Sequence, residues 1–344
     1  MTSLIVVSAA RSPWGAEASL RTLLPALATE YEEVTVVVPT QNTADFFGKI
    51  DGVDVQLAGY KSRVQYIFEV TRLLLQKRKD SHVLVFSLQL VPLALPIRLL
   101  RPQMRILADL HDAPRDPVDR NVVRLLLPLF HGIITISSYV RSHFKNDRAI
   151  VIPRPIEPVK IAPKNVRGAL TIGIAGRLDR EKEIELAIEV AAAIPTIRLV
   201  VFGEGLTHGD EYLSELQSLA AERAPGRVRF AGRVEPAAIF DTIDVLFVGN
   251  RNEPSGRTVG EAMWAGVPVV TPSTGGSSEF YEDGVSGLRY TAGSPESATK
   301  AVQRLADPEV RAEFGRAASS HMQATRDPKQ LARSYATAIR GHHK

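Results

Sequence analysis

The 344-residue chain is expected to form an α/β protein of two Rossmann-like domains facing a central cleft, and three observations lead there. Short β-branched runs alternate with stretches of helical periodicity from end to end, and the runs are apolar on both faces, as buried parallel strands in βαβ units are. The length suits two domains with a core each. Midway, Pro153, Pro155, Pro158 and Pro163 fall within eleven residues, a density that neither a helix nor a central strand absorbs. A linker is the natural reading of that stretch. Ligands in open α/β sheets bind beyond the carboxyl ends of the strands, so the loops there are where chemistry is expected.

Each element follows from its own pattern. The N-terminal run through Ala10 lacks a charged leader and is too short for a signal peptide, so Leu4–Ser8 reads as a buried first strand. Further strands are expected at Val34–Val38, Val53–Leu57, Val83–Phe86, Arg105–Ala108 and Ile133–Ile136. Helical patterns lie between them at Ala16–Thr29, Ser62–Lys79, Val118–Phe130 and Ser138–Phe144. In the second half, strands read at Leu170–Ile174, Arg198–Phe202, Val228–Phe230, Val245–Phe247 and Val267–Val270. A helix begins near Glu183, with Ile184, Ala187, Ile188 and Ala191 at core spacing. The tail, from Asp327-Pro328 to His343, is one more helix after a proline start. No segment approaches the roughly 20 uncharged apolar residues of a membrane span. The nearest, Val83 to Leu100, is interrupted by two prolines and Arg98.

Composition narrows the function classes. The chain is 44% hydrophobic and 23% charged, ordinary for a globular protein. It has no cysteine, which excludes disulfides, thiolate metal sites and cysteine nucleophiles and fits a cytoplasmic setting. A net charge of +4, with no recognisable module and no aromatic-interleaved basic strip, argues against a nucleic-acid partner. Lys61, Arg63, Arg72, Lys77, Arg78 and Lys79 read either as a face for an anionic membrane, peripheral at its inner side, or as a solvated helix end.

The most informative stretch runs from Glu253 to Val270. Two carboxylates, Glu253 and Glu261, stand eight positions apart across a small-residue turn that opens a short helix. Exposed N–H groups at such a helix start stabilise phosphate. Carboxylates repel phosphate, so here they can serve as acceptors for hydroxyls. Phosphates in the middle and hydroxyls at both ends describe a nucleotide-sugar. Two carboxylates alone read equally as a solvated loop glutamate and a helix cap.

The whole string, Glu253, Gly256, Glu261 and then Ala262-Met263-Trp264-Ala265-Gly266-Val267-Pro268-Val269-Val270, resembles the signature of the retaining "group 1" (family 4) glycosyltransferases of GT-B fold. The resemblance is strong from Gly173 to Leu288 and looser before the linker. It implies domains at 1–155, binding the acceptor, and 164–326, binding the nucleotide-sugar, with the helix of 327–344 crossing back onto the first. It implies that Glu253 contacts donor-sugar hydroxyls and Glu261 the ribose, with Ser255, Gly256, Arg257 and Thr258 lining the donor. In Gly176-Arg177-Leu178-Asp179-Arg180-Glu181-Lys182, Arg177 and Lys182 match the pair that grips the diphosphate and stabilises it on departure. Taken alone, that cluster reads equally as surface ion pairs. Glu183 stands where the family usually has glycine, and its charge weakens the electrostatics of a phosphate site.

Gly203, in Gly203-Glu204-Gly205, matches a turn beside the nucleotide, and Gly15 matches the glycine-rich loop after the first strand. Gly275-Gly276 with Glu279, and Asp283 to Leu288, match framing turns. His111, in Leu110-His111-Asp112, falls where the family places a histidine near sugar and acceptor; a lone histidine is otherwise structural. His131, His143, His342 and His343 match nothing. No Asp-x-Asp occurs, so Arg177, Lys182 and helix N-termini are expected to replace a metal, and no cofactor is implied because the nucleotide-sugar is a substrate. The partners implied are that donor and a hydroxyl acceptor on a polysaccharide, glycolipid or glycoside. With no obvious nucleophile, front-side attack is the mechanism the resemblance implies. The alternatives are a non-catalytic sugar-nucleotide-binding scaffold, for which Glu183 is the hint, and a GT-B sugar-nucleotide epimerase or phosphorylase. A dehydrogenase would need Gly-x-Gly-x-x-Gly after the first strand, and none is there.

Overall fold

The computed structural model describes residues 2–13, 15–114, 116–161, 169–205 and 209–341. Pro163, His342 and His343, which figure in the sequence reading, lie outside the described residues. The chain divides into two compact units, Met1–Ile156 with Arg326–Lys344, and Glu157–Thr325.

The first unit runs β1 (Leu4–Ser8), α1 (Gly15–Ala28), β2 (Val34–Val38), α2 (Gln41–Phe47), β3 (Val53–Leu57), α3 (Arg63–Gln76), β4 (His82–Phe86), α4 (Ala94–Leu100), β5 (Arg105–Leu110), α5 (Pro117–Leu126), β6 (Gly132–Thr135), α6 (Ser138–Phe144) and β7 (Ala149–Val151). Its seven strands lie in the order β3-β2-β1-β4-β5-β6-β7. Every pairing is parallel; Val6, for example, faces Val36 on one side and Leu84 on the other. Alternation along β1 sends Leu4 and Val6 into one core and Ile5 and Val7 into the other, so both faces are covered. One core takes the inner sides of α3, α4, α5 and α6, through residues such as Tyr66, Ile97, Val123 and Phe144. The other takes α1 and α2, through residues such as Leu20 and Phe47.

The second unit runs β8 (Thr171–Ala175), α7 (Ile184–Ala193), β9 (Arg198–Phe202), α8 (Gly209–Arg223), β10 (Val228–Gly232), α9 (Pro236–Thr242), β11 (Val245–Phe247), α10 (Arg257–Trp264), β12 (Val269–Pro272), β13 (Leu288–Tyr290), α11 (Pro295–Arg304) and α12 (Pro308–Thr325). Its six strands lie in the order β10-β9-β8-β11-β12-β13, again all parallel. The chain then returns to the first unit as α13 (Pro328–Arg340), capped by Asp327, whose side chain accepts from the Gln330 amide. Leu331, Tyr335 and Ile339 of α13 complete the core shared with α1.

The structure departs from the sequence reading at definable places. α2 is short and polar apart from its terminal phenylalanines, and α4 contains Pro96, so neither shows helical periodicity. β7 and β13, each three residues long at a sheet edge, are absent from the sequence reading; β13 is interrupted by the exposed Arg289. The helix expected over 118–130 ends at Leu126 and tightens into a 3-10 turn, Leu127–Leu129, around Pro128. The strand expected at Val267 starts at Val269; Pro268 just before it accepts from the Leu246 amide at 2.9 Å, and its missing N–H does no harm there.

The proline-rich stretch is not a solvated linker at its start: Arg154, Pro155 and Ile156 are buried in the first unit. Arg154 forms a two-pronged ion pair with Asp109 of β5 at 2.5 and 2.8 Å, donates to the Tyr335 hydroxyl, and lies over the Phe86 ring. Asp109 is fully buried, so losing its partner strands a charge in the core. Arg154→Leu is therefore expected to cost about 3–5 kcal/mol in chemical denaturation, whereas the double variant Arg154→Leu/Asp109→Leu regains most of it. Equal loss in single and double variants would contradict this account of the pair.

Candidate functional site

In the second unit the chain lays β9 and β10 to one side of β8 and β11 to β13 to the other. The segments leaving β8 and β11 therefore diverge, and such a switch point is where open α/β sheets bind ligands. Arg177 and Lys182 follow β8; Glu253 follows β11. Gly176, Arg177, Lys182 and Phe202 line one recess there. Lys182 Nζ donates to Glu253 Oε2 at 2.8 Å, and Asn250 Nδ2 donates to the same oxygen at 3.1 Å. Arg177 leans on Asp179 at 3.4 Å. Arg180, in the same turn, points away to Glu215 and lies over Tyr212.

Glycine is obligatory at Gly203. Its φ is +131°, and a Cβ would sit 1.8 Å from the Gly176 carbonyl oxygen, so the turns after β8 and β9 close on each other only without side chains. At the start of α10, Gly256 has φ +85° and supplies no side-chain cap. The first-turn amides of α10 thus start at a glycine, an arrangement suited to an anion. One turn on, Glu261 is buried, and Arg257 Nε donates to its Oε1 at 2.7 Å. Burial raises the Glu261 carboxyl above the ordinary range, and the Arg257 guanidinium opposes that rise. Ser255 and Thr258 are half-buried beside Gly256. Lys182 with Glu253 and Arg257 with Glu261 form two separate ion pairs. The framing turns hold the loop that bears Glu253: the Gly276 amide donates to the Glu253 carbonyl at 2.7 Å, and Thr274 Oγ1 donates to the Arg251 carbonyl at 2.8 Å.

Glu183 is the informative departure. It adopts the left-handed conformation at φ +47° and precedes α7, which explains why glycine suits that position. Its carboxylate is gripped on both oxygens by Arg251 at 2.6 and 2.7 Å, so its charge is compensated locally. Arg251 was not singled out from the sequence, where 68 residues separate it from its partner. Only its position two residues before Glu253 could have drawn notice.

In the first unit, Gly15 opens α1 at an exposed position, and Ser8 Oγ at the end of β1 donates to the buried Glu17 at 3.2 Å. His111 follows β5, with its ring 4.7 Å from that of Phe86. Its Nδ1 is buried without a partner. Burial, reinforced by Arg154, pushes the imidazole pKa down to about 3, so it is neutral near pH 7 and suits hydrogen bonding rather than ion pairing. His131 and His143 serve locally, the first accepting from the Ile106 amide at 3.0 Å, the second bonding the Tyr139 carbonyl at 2.9 Å. The basic run of α3 and the loop after it is largely paired: Arg72 with Glu69, Lys77 with Glu33, and Arg78 with Glu32 and Asp80.

Known proteins match in two ways. Residues 160–321 match the model of the family described as glycosyl transferases, group 1. A lipopolysaccharide core biosynthesis glycosyltransferase of Rhizobium meliloti is 32% identical over 132 residues, 38% of this chain and 37% of its own. A D-inositol 3-phosphate glycosyltransferase of Acidothermus cellulolyticus is 28% identical over 197 residues, 51% of this chain and 44% of its own. The chain thus spans less than half the length of these curated relatives. In three dimensions, HepE of Anabaena, solved with UDP and glucose, matches over 99% of this chain and 100% of its own at TM-score 0.85 and 18% identity. Sucrose-phosphate synthase of Thermosynechococcus elongatus matches over 99% of both chains at 0.84 and 20%.

Two outcomes test the geometry. The His111 imidazole is expected to show no titration between pH 5 and 8 by NMR, since its folded pKa lies far below the ordinary 6.5; a midpoint near 6.5 would contradict its burial. Glu183→Gly is expected to change stability by less than about 1 kcal/mol, because relief of left-handed strain offsets the lost pair, while Arg251→Ala keeps the strain, loses the pair and destabilises. Residues 160–321 thus match the group 1 glycosyl transferase model, and the whole chain has the α/β GT-B fold of the solved structures.

Proposed function

We propose that the protein is a retaining glycosyltransferase that moves a sugar from a nucleotide-sugar to a hydroxyl acceptor without a metal. The second unit binds the donor and the first the acceptor. The observation that carries this reading is the Lys182–Glu253 contact at the switch point. A cation and a hydroxyl acceptor lie side by side there, between the glycine turn of Gly176 and Gly203 and the uncapped start of α10. In that frame the diphosphate sits against Arg177, Lys182 and the α10 amides. Glu253 takes sugar hydroxyls, and Glu261, steadied by Arg257, takes the ribose. Gly15, at the start of α1, is the first unit's candidate on the donor side. The neutral His111 offers its imidazole to a sugar or acceptor hydroxyl.

The chemistry follows from those roles. The acceptor hydroxyl attacks the anomeric carbon on the face from which the diphosphate leaves, and a phosphate oxygen takes its proton. Arg177 and Lys182 bear the developing charge on the leaving group in place of a cation. The acceptor class is a growing polysaccharide, a glycolipid or a glycoside; among the relatives, one is named for lipopolysaccharide core biosynthesis and another as a glycogen synthase. A non-catalytic scaffold is the second reading; the pairing of Glu183 with Arg251 weakens its one motivation, because the extra carboxylate is neutralised.

Thermal unfolding in EDTA against UDP-, GDP-, ADP- and dTDP-sugars tests the reading, UDP-glucose first, since UDP and glucose occupy the HepE structure. Saturation at 100 times the dissociation constant adds about 2.7 kcal/mol of stability. A shift with one nucleotide series is expected, weakened in Glu261→Ala. Glu253→Ala is expected to lower turnover more than binding. The absence of a shift with all four series would refute the donor site as drawn.

A further inference from the structure

The outward side of the α3–α4–α5 layer is not accounted for by the fold or the donor site. These three helices cover the same face of the first unit's sheet: Tyr66, Val70 and Leu74 of α3, Ala94 and Ile97 of α4, and Val123 of α5 all enter one core. Their opposite sides therefore point away from the sheet together. There α3 exposes Val64 and Phe68, α4 exposes Leu95, Leu99 and Leu100, and α5 exposes Val118, Val122 and Leu125. Phe68 is 65% exposed, Leu99 79% and Leu125 78%. The spacings are helical, so each helix carries a stripe rather than an isolated residue. Eight of the ten large apolar side chains exposed among the described residues lie in this one layer. Single exposed leucines need no explanation, but a concentration of this kind marks a contact surface.

Charge decides what covers it. Arg63 donates to the Gln89 carbonyl at 2.8 Å, and Arg124 to the His143 carbonyl at 2.7 Å. Arg98 meets the His131 ring, and Arg101 reaches the Leu75 carbonyl. Neutral groups anchor these guanidiniums in the helix layer and leave their charge in place. Arg120 adds a further cation on α5. Of the acids on these helices, Glu69 pairs with Arg72, while Asp116, which caps α5 through the Val118 amide, and Asp119 keep their charge; Arg63, Arg98, Arg101, Arg120 and Arg124 outnumber them and leave the layer net positive. A second copy of the same cationic face would repel. We propose that this layer docks on an anionic lipid bilayer, its leucine, valine and phenylalanine tips entering the headgroup boundary and its arginines meeting lipid phosphates. This surface differs from the Lys77–Arg78 run, which faces its own carboxylates. Joined to the transferase reading, on which this last step alone rests, a bilayer face points to an acceptor hydroxyl carried by an amphiphile.

The test is co-sedimentation of the full chain, without nucleotide, with phosphatidylcholine vesicles prepared with and without phosphatidylglycerol. Binding is expected to the anionic vesicles and to fall with added salt. It should weaken by about tenfold or more in Phe68→Ser/Leu99→Ser/Leu125→Ser, equivalent to about 1.4 kcal/mol. These positions are exposed, so the triple variant is expected to keep the parent's circular dichroism and nucleotide-induced thermal shift. Arg63→Glu serves as a second variant that removes charge without touching the apolar stripe. Binding to neither vesicle, or equal binding by parent and triple variant, would overturn the proposal. So would self-association of the parent that the triple variant abolishes, since that assigns the face to a second copy. Failure here leaves donor binding untouched, and failure of nucleotide binding leaves the bilayer contact untouched.

Discussion

Parallel strands are joined by right-handed crossovers, so each new strand of a βαβ domain must be laid on one side or other of the strands already placed. In the second unit that choice reverses once, between β10 and β11, and β8 becomes the neighbour of β11. The reversal brings two segments 71 residues apart to a common edge, where Lys182 and Glu253 meet. The other features of the site depend on this adjacency. Gly203 must lack a side chain because its turn closes on Gly176, and the loop after β11 must be held at its carbonyls by Thr274 and Gly276.

The ion pairs around the candidate site share one pattern. Arg177 with Asp179, Lys182 with Glu253, Arg251 with Glu183, and Arg257 with Glu261 pair each cation with a carboxylate. Under the donor-site reading these pairs are poised for exchange. A diphosphate takes over Arg177 and Lys182, and the released Glu253 turns to hydroxyls. Such exchange keeps these half-buried charges compensated before and after binding, which a cluster of unpaired cations would not. Arg251 and Glu183 stand apart from the exchange, tying the turn after β8 to the loop after β11 while cancelling a charge foreign to a phosphate site.

What the sequence shows and hides follows from range. Runs such as Leu4–Ser8, Val34–Val38 and Arg198–Phe202 are read correctly because burial on both faces is written in consecutive residues. α4 is hidden by Pro96, and β13 by the exposed Arg289 at its centre. Glu253 and Glu261 stand out because their spacing lies within one short stretch. Arg154 does not: it sits between prolines in what reads as a linker, and its burial depends on Asp109, 45 residues earlier, and Tyr335, 181 residues later. Arg251 is hidden for the same reason. The exposed stripes of α3, α4 and α5 look like core residues in sequence; only the placement of the sheet shows which side of each helix is left over.

The central claim is that the divergence after β8 and β11 forms a diphosphate site. It is tested most directly by calorimetric titration of UDP into the parent protein and into Lys182→Met, in EDTA. The account predicts saturable binding by the parent and at least tenfold weaker binding by the variant, a loss of about 1.4 kcal/mol or more. Equal affinity for the two proteins would contradict it.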